Sequence, residues 1–309
     1  MPVTVVGSIA FDAVKTPFGE HERMLGGAAV HFALAASFFD VVRIVGPVGD
    51  DFGETELEVL RRREIDVSGI EHVPGGRTFF WRGEYGWDLN TRATLETQLG
   101  VFEQFEPKLS AAARSSDVVF LANIQPDLQL AVRAQCQETR FAALDSMNLW
   151  IEVARDSLIE AINAVDCLIL NDAELRQLAG KPSLVGAARE VLSWGPPGRR
   201  AVVAKLGEYG AALITTDGYF SIPAFPLETV VDPTGAGDSF AGGFVGYIAA
   251  QGGDKPLTPN VLRRAMAYGT AIASFNVQEF GTERVARLRM DEIDERVVDL
   301  QRMTAFSTS

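Results

Sequence analysis

Apolar, β-rich runs alternate with amphipathic stretches from one end of this chain to the other, and that rhythm narrows its possible folds more than any other feature. The runs are Val3 to Ile9, Val42 to Val45, Val118 to Leu121, Phe141 to Leu144, Cys167 to Leu170 and Ala201 to Leu206. Between them lie Ala28 to Phe38, Glu54 to Arg63, Pro126 to Cys136 and Ile151 to Ala161, where apolar residues recur every three or four positions. Strand and helix in alternation predict a parallel sheet wrapped by helices. The 309 residues hold no internal repeat, and Pro and Gly are scattered rather than gathered into a linker. The expectation is one α/β domain over 1–309, large enough to carry an insertion.

One segment breaks the rhythm. From Arg77 to Asp88 a two-residue period puts Phe79, Trp81, Tyr85 and Trp87 on one face of a strand and Thr78, Arg82 and Glu84 on the other. An aromatic face beside polar residues suggests a small β flap over a ligand or a second subunit, and equally a strand packed on its own core. Gly83 or Gly86 could introduce a bulge that scrambles the two faces.

Composition removes several functions. A formal charge of −13 argues against nucleic acid as partner, because phosphate backbones favour clustered Lys and Arg. The basic runs Arg61-Arg62-Arg63, Arg199-Arg200 and Arg263-Arg264 read as solvated helix faces or loop ends. The longest weakly polar stretch, Ala241 to Ala250, is half the ~20 residues that a bilayer helix needs. With no basic lead-in before Val3, the start of the chain reads as a strand rather than a signal peptide, so a cytoplasmic location is expected. Cys136 and Cys167 read as buried free thiols. The only histidines, His21, His31 and His72, show no metal-ligand spacing and leave no late partner for a Ser-His-Asp hydrolase.

Carboxylates, glycines and a lysine remain, and they concentrate in one loop. Thr229 to Phe244 reads as a short strand ending at Asp232, a turn at Pro233, two glycines, and then a helix of small and apolar residues. The unpaired amides and positive dipole end of such a helix attract anions, and glycine lets a phosphate approach the backbone. Asp238 beside that phosphate needs a task. It either takes the proton from an attacking hydroxyl or merely charges the helix start. Gly235-Ala236-Gly237 also begins a dinucleotide fingerprint, but Phe240 replaces its third glycine and the motif does not follow the first strand, which disfavours a dehydrogenase.

Asp232-Pro233-Thr234-Gly235-Ala236-Gly237-Asp238 resembles the C-terminal signature of the ribokinase-like, or PfkB, family of carbohydrate and nucleoside kinases. Gly7-Ser8-Ile9-Ala10-Phe11-Asp12, Gly26-Gly27-Ala28-Ala29-Val30-His31 and Gly46-Pro47-Val48-Gly49-Asp50-Asp51-Phe52-Gly53 are similar to its N-terminal elements. Asn171-Asp172-Ala173-Glu174 matches its Asn-x-x-Glu motif, and Lys205 to Ala211 looks like its strand-turn-strand beside the nucleotide.

The resemblance spans essentially the whole chain and implies a three-layer ribokinase-like fold. That fold has a central, mostly parallel sheet and a small β lid made from insertions at about 11–25 and 75–98. The implied reaction transfers the γ-phosphate of MgATP to a small sugar, with a nucleoside as the alternative acceptor and a non-catalytic binding homologue as a distant one. By the resemblance Asp238 is the base and Gly235, Ala236 and Gly237 form the anion hole. Asp12, Gly26, Gly27, His31, Phe79 and Trp81 would meet the acceptor, and Asn171, Glu174, Lys205, Gly207 and Asn276 the ATP. Glu174 would hold magnesium through water, Asp232 and Thr234 a monovalent cation such as potassium, and two copies could pair through their lids. His31 stands where ribokinases carry Asn, and the stretch after Asp145 lacks the Arg of ketodeoxygluconate kinases, so neither of those acceptors is expected.

Overall fold

The computed structural model describes residues 1–195, 201–252 and 257–305; Arg199 and Arg200 lie outside them. Its centre is a nine-stranded sheet in the order Gly218–Ile222, Ala211–Thr215, Ala201–Lys205, Cys167–Asn171, Phe141–Asp145, Val118–Leu121, Val3–Val6, Val42–Val48, Asp66–His72. Every neighbouring pair is parallel except those made by Ala211–Thr215, which runs antiparallel to both of its partners.

Alternate residues of each strand feed two separate cores, as a sheet covered on both faces requires. Val5, Phe120, Ala143, Ile169 and Val203 pack against the helices Ala28–Ala36, Ala236–Ala250 and Pro259–Asn276. Val6, Leu121, Leu144, Leu170 and Ala204 pack on the other side against Pro126–Gln135, Arg155–Asn163 and Leu184–Leu192. Among the described residues no helix is long and apolar enough to cross a membrane, and Cys136 and Cys167 are buried free thiols.

Helix Ala236–Ala250 is locked between its two neighbours by backbone contact. A Cβ on Gly242 would stand 2.4 Å from the Phe32 carbonyl oxygen, and one on Gly243 would stand 2.9 Å from the Gly269 Cα. Only glycine permits so close an approach, and the helix is thereby fixed between Ala28–Ala36 and Pro259–Asn276.

A second, four-stranded sheet has the order Gly19–Gly26, Ala10–Thr16, Phe79–Tyr85, Arg92–Gln98. One face carries ion pairs, Lys15 to Glu84 at 2.7 Å and Arg82 to Glu22 at 2.7 Å, and the other face overhangs the edge of the large sheet. Phe79–Tyr85 is the aromatic strand of the sequence. Its register with Arg92–Gln98 slips between Arg82 and Gly83, and Trp87, expected to continue the aromatic face, lies past the strand end with 91% of its surface exposed.

Two expected elements break. The run Val3 to Ile9 stops being strand at Val6, because Ser8 turns to cap the helix Ala28–Ala36, its hydroxyl accepting from Ala28 N and its carbonyl from Ala29 N. The stretch Ile151 to Ala161 is two helices, Asn148–Val153 and Arg155–Asn163, divided at Ala154, whose ψ of 36° is not helical.

Candidate functional site

In parallel sheets the carboxyl ends of the strands form the site, and here three consecutive strands end in polar side chains. Asn171 lies opposite Lys205, and Ile169 opposite Asp145, so Asp145, Asn171 and Lys205 emerge on the same face, the one covered by helix Ala236–Ala250. Lys205 Nζ reaches back 3.2 Å to Asp145 Oδ2. It also lies where a side chain on residue 237 would begin, 2.9 Å from the Cβ that Gly237 lacks. Asp145, absent from the sequence expectation, thus holds the lysine against the glycine loop. Asp145 ends a strand as Lys205 does, two strands away across Cys167–Asn171, and the ends of parallel strands are where a site is expected.

The loop itself is tightly tied. Gly235 adopts the left-handed conformation, φ 73°, and starts the helix Ala236–Ala250. Asp232, fully buried, accepts from Thr234 N at 2.8 Å and from Gly281 N at 3.0 Å. Asn276 donates to the Thr234 carbonyl at 2.7 Å and accepts from the Ser239 hydroxyl at 3.0 Å. Its Oδ1 also lies 3.2 Å from His31 Nδ1, which therefore carries the proton. A Cβ on Gly235 would strike the His31 ring at 2.3 Å.

These contacts shift two expected positions. Asn276, anticipated against the ATP, and His31, anticipated against the acceptor, both lie buried beneath the loop, where their polar atoms shape the backbone. Burial lowers the His31 pKa, so its ring is neutral. Ser239, the third member of this network, gave no sign in the sequence beyond following Asp238.

Asp238 stands half-buried in the first turn of the helix. Burial first, and the nearby charge of Asp145 second, push its pKa up to about 7, against the pull of Lys205 and Arg92. Asp12 is almost wholly buried, and its Oδ2 fills the space a Gly26 side chain would need and lies 3.4 Å from Gly27 N. Its pKa is likewise pushed up to about 7, by burial and then by Asp232 and Asp238 despite the Gly27 amide. Burial alone would lower the Lys205 pKa, but Asp145, Glu174 and Asp238 outweigh it and raise it.

Asn171 and Glu174 form a reciprocal capping box. Asn171 Oδ1 accepts from Glu174 N at 2.8 Å, and Glu174 Oε2 accepts from Asn171 N at 2.9 Å. Desolvation raises the Glu174 pKa. Three carboxylates therefore surround one ammonium, and the cluster is short of positive charge. No three His, Cys, Asp or Glu side chains among the described residues converge into a metal cage. This donor set fits magnesium that arrives on phosphates and keeps most of its waters.

The small sheet closes the site from above. Trp81 lies opposite Asp12 across paired strands and so shares its face, and its ring covers Gly83, whose absent Cβ would meet it at 2.1 Å. The Tyr85 hydroxyl accepts from Thr234 Oγ1 at 3.3 Å, and Asn90 Nδ2 donates to Glu208 Oε1 at 3.2 Å beside Gly207. Phe79 turns instead to Phe102, with ring centroids 6.0 Å apart, and packs the base of the sheet.

A carboxylate and a lysine at a glycine-rich helix start, on the carboxyl edge of a largely parallel sheet, are an arrangement suited to moving a phosphoryl group onto an alcohol. The comparisons agree and narrow the class. The chain belongs to the pfkB family of carbohydrate kinases, whose family model matches residues 3–287. It is 31% identical over 256 residues to the cytidine kinase of Thermococcus kodakarensis, covering 80% of this chain and 88% of that one. It is 26% identical to the ribokinase of Lactococcus lactis, over 97% of this chain and 98% of that one. The nucleoside kinase of Burkholderia thailandensis, solved in complex with ADP-inosine, shares the fold at a TM-score of 0.79 and 20% identity, covering 96% and 95% of the two chains.

Proposed function

We propose that this protein transfers the γ-phosphoryl group of MgATP to a hydroxyl of a nucleoside. The observation that carries the phosphoryl transfer is the junction of Asp238, the first turn of the helix Ala236–Ala250 and Lys205 Nζ at Gly237. In this reading Asp238 takes the proton of the acceptor hydroxyl, and a pKa of about 7 suits a base working near neutral pH. The amides of Gly235 to Gly237 and the Lys205 ammonium receive the charge that spreads over the transferring group. Asp12 accepts hydroxyls of the acceptor beside the Gly26-Gly27 backbone, and the Asn171–Glu174 helix start together with Gly207 borders the nucleotide.

Glu174 would hold magnesium through water, and the ion supplies positive charge to the phosphates of ATP. Asp232, buried with no described Lys or Arg within 4.0 Å, fits a monovalent cation shared with Thr234. The small sheet acts as a lid whose closure excludes water, which otherwise competes as acceptor. Pairing of two copies through that sheet, which exposes Phe18 and Leu95, would show as a dimer in sedimentation velocity.

Nucleoside is favoured over a small sugar by Trp81, whose indole shares a face with Asp12 and so offers a flat apolar surface next to the carboxylate that would hold a ribose. The cytidine and inosine of the relatives' names agree with that choice. A coupled ADP assay over cytidine, inosine, adenosine, ribose and fructose tests it. One nucleoside should raise turnover by orders of magnitude above acceptor-free ATP hydrolysis. A faster rate with a free sugar would overturn the nucleoside assignment, and no stimulation by any acceptor would overturn the kinase reading.

A further inference from the structure

Arg92 begins the last strand of the small sheet, Arg92–Gln98, and its strand partner is Tyr85. Tyr85 is pinned to the glycine loop through Thr234, so the register places Arg92 over the loop as well. One further contact orients the guanidinium: its carbon lies 5.4 Å from the centroid of the Trp81 ring.

The other arginines of this sheet are committed. Arg82 lies within 4.0 Å of Glu20, Glu22 and Glu96, and Arg23 pairs with Asp51. Arg92 forms no ion pair with any described carboxylate within 4.0 Å, yet its charge acts on Asp12, Glu174 and Asp238 at once. The geometry agrees: Arg92 stands opposite Tyr85, whose hydroxyl meets Thr234 one residue before Gly235, at the head of the loop that would receive the phosphoryl group.

We propose that Arg92 is a catalytic residue carried by the lid, whose guanidinium contacts the equatorial oxygens of the transferring phosphoryl group. The inference rests on the kinase reading above. In the step, the bond from the γ-phosphorus to the β–γ bridging oxygen breaks and leaves its electron pair on ADP. A new bond forms from the acceptor oxygen to phosphorus, and the acceptor proton goes to Asp238. Arg92 neither gives nor takes a proton; its planar fork matches two phosphoryl oxygens and offsets charge that Lys205, tied to Asp145, offsets only in part. Because Arg92 rides on the lid, this charge arrives only when the lid is down over a bound acceptor, which couples turnover to acceptor binding.

Arg92→Ala and Arg92→Lys test this, assayed with whichever of cytidine, inosine or ribose the acceptor panel selects. Arg92→Ala should lower kcat about 10²- to 10³-fold and leave both KM values within a few-fold. Arg92→Lys keeps the charge but loses the fork and should remain at least about ten-fold below wild type. Added guanidinium ion should restore part of the rate of Arg92→Ala and none to the intact enzyme. In calorimetry, Arg92→Ala should bind ADP as the intact protein does and lose affinity for ADP with fluoroaluminate and acceptor. A kcat within three-fold of wild type, or unchanged fluoroaluminate affinity, would overturn the assignment. If Asp238→Asn is inactive while Arg92→Ala is not, only the arginine falls; if the intact protein phosphorylates nothing in the panel, the kinase reading falls first.

Discussion

Asp238→Asn should make the free protein more stable while it removes activity, and both effects follow from one local environment. The cleft raises the Asp238 pKa from an ordinary 3.8 to about 7, and three units correspond to about 4 kcal/mol of preference for the neutral carboxyl. Asp238 is only half-buried, and solvent relieves part of this, which leaves about 2 kcal/mol. A carboxyl that binds its proton more tightly when folded costs nothing below its unfolded pKa near 4, and it destabilises the fold progressively as pH rises toward 7. An uncharged amide escapes that penalty. Thermal unfolding of the ligand-free protein should show no difference between variant and wild type near pH 4, and a gain of about 3 °C for the variant at pH 8. The same variant should lose about 10²- to 10⁴-fold in kcat, because the amide cannot accept the proton of the acceptor hydroxyl. A variant less stable than wild type at pH 8 would refute the buried-charge reasoning, and a variant retaining more than a tenth of wild-type kcat would refute the base.

Four further outcomes are expected. In the intact enzyme kcat/KM should fall below pH 7, as Asp12 and Asp238 take up protons near pH 7, and a profile flat to pH 5 would contradict both shifts. Asp12→Ala should raise the acceptor KM about 10- to 100-fold while the ATP KM stays put, through the loss of hydrogen bonds to a charged group. Asn276→Ala orphans the partners of a fully buried carboxamide, which predicts a loss of about 3 kcal/mol in denaturant unfolding together with a lower kcat. Gly242→Val should destabilise by at least about 1–3 kcal/mol, since its side chain must displace the Phe32 carbonyl, and unchanged stability would refute the tight helix contact.

The doubly wound core was plain from residue order alone, because buried parallel strands such as Val118–Leu121 and Cys167–Asn171 are continuous apolar runs whose ends fall within a residue or so of their structural limits. The turn at the glycine loop and the helix after it were equally legible, whereas the loop's pattern alone left Asp238 as either a base or a charge at the helix start. What stayed hidden depends on chain segments far apart in sequence. Asn276 meets Thr234 across 42 residues and His31 across 245, and no local pattern shows that these three close on one another beneath the loop. Arg92 sits in a strand whose residues are all exposed, so its sequence looks like ordinary solvated sheet, and only strand register carries it over the cleft. Trp87 failed the other way: its periodicity was correct, but the strand had ended.

The small sheet draws its strands from only two stretches of chain, Ala10–Gly26 and Phe79–Gln98, and among the described residues none of them pairs with a strand of the large sheet. On the proposed reading, new residues on that canopy would change the guest while the glycine-clasped helix under it, with no space for so much as a methyl group at Gly242, stays where it is. A scaffold so partitioned can explore new alcohols by altering one thin, outward sheet, with the reaction itself left untouched below.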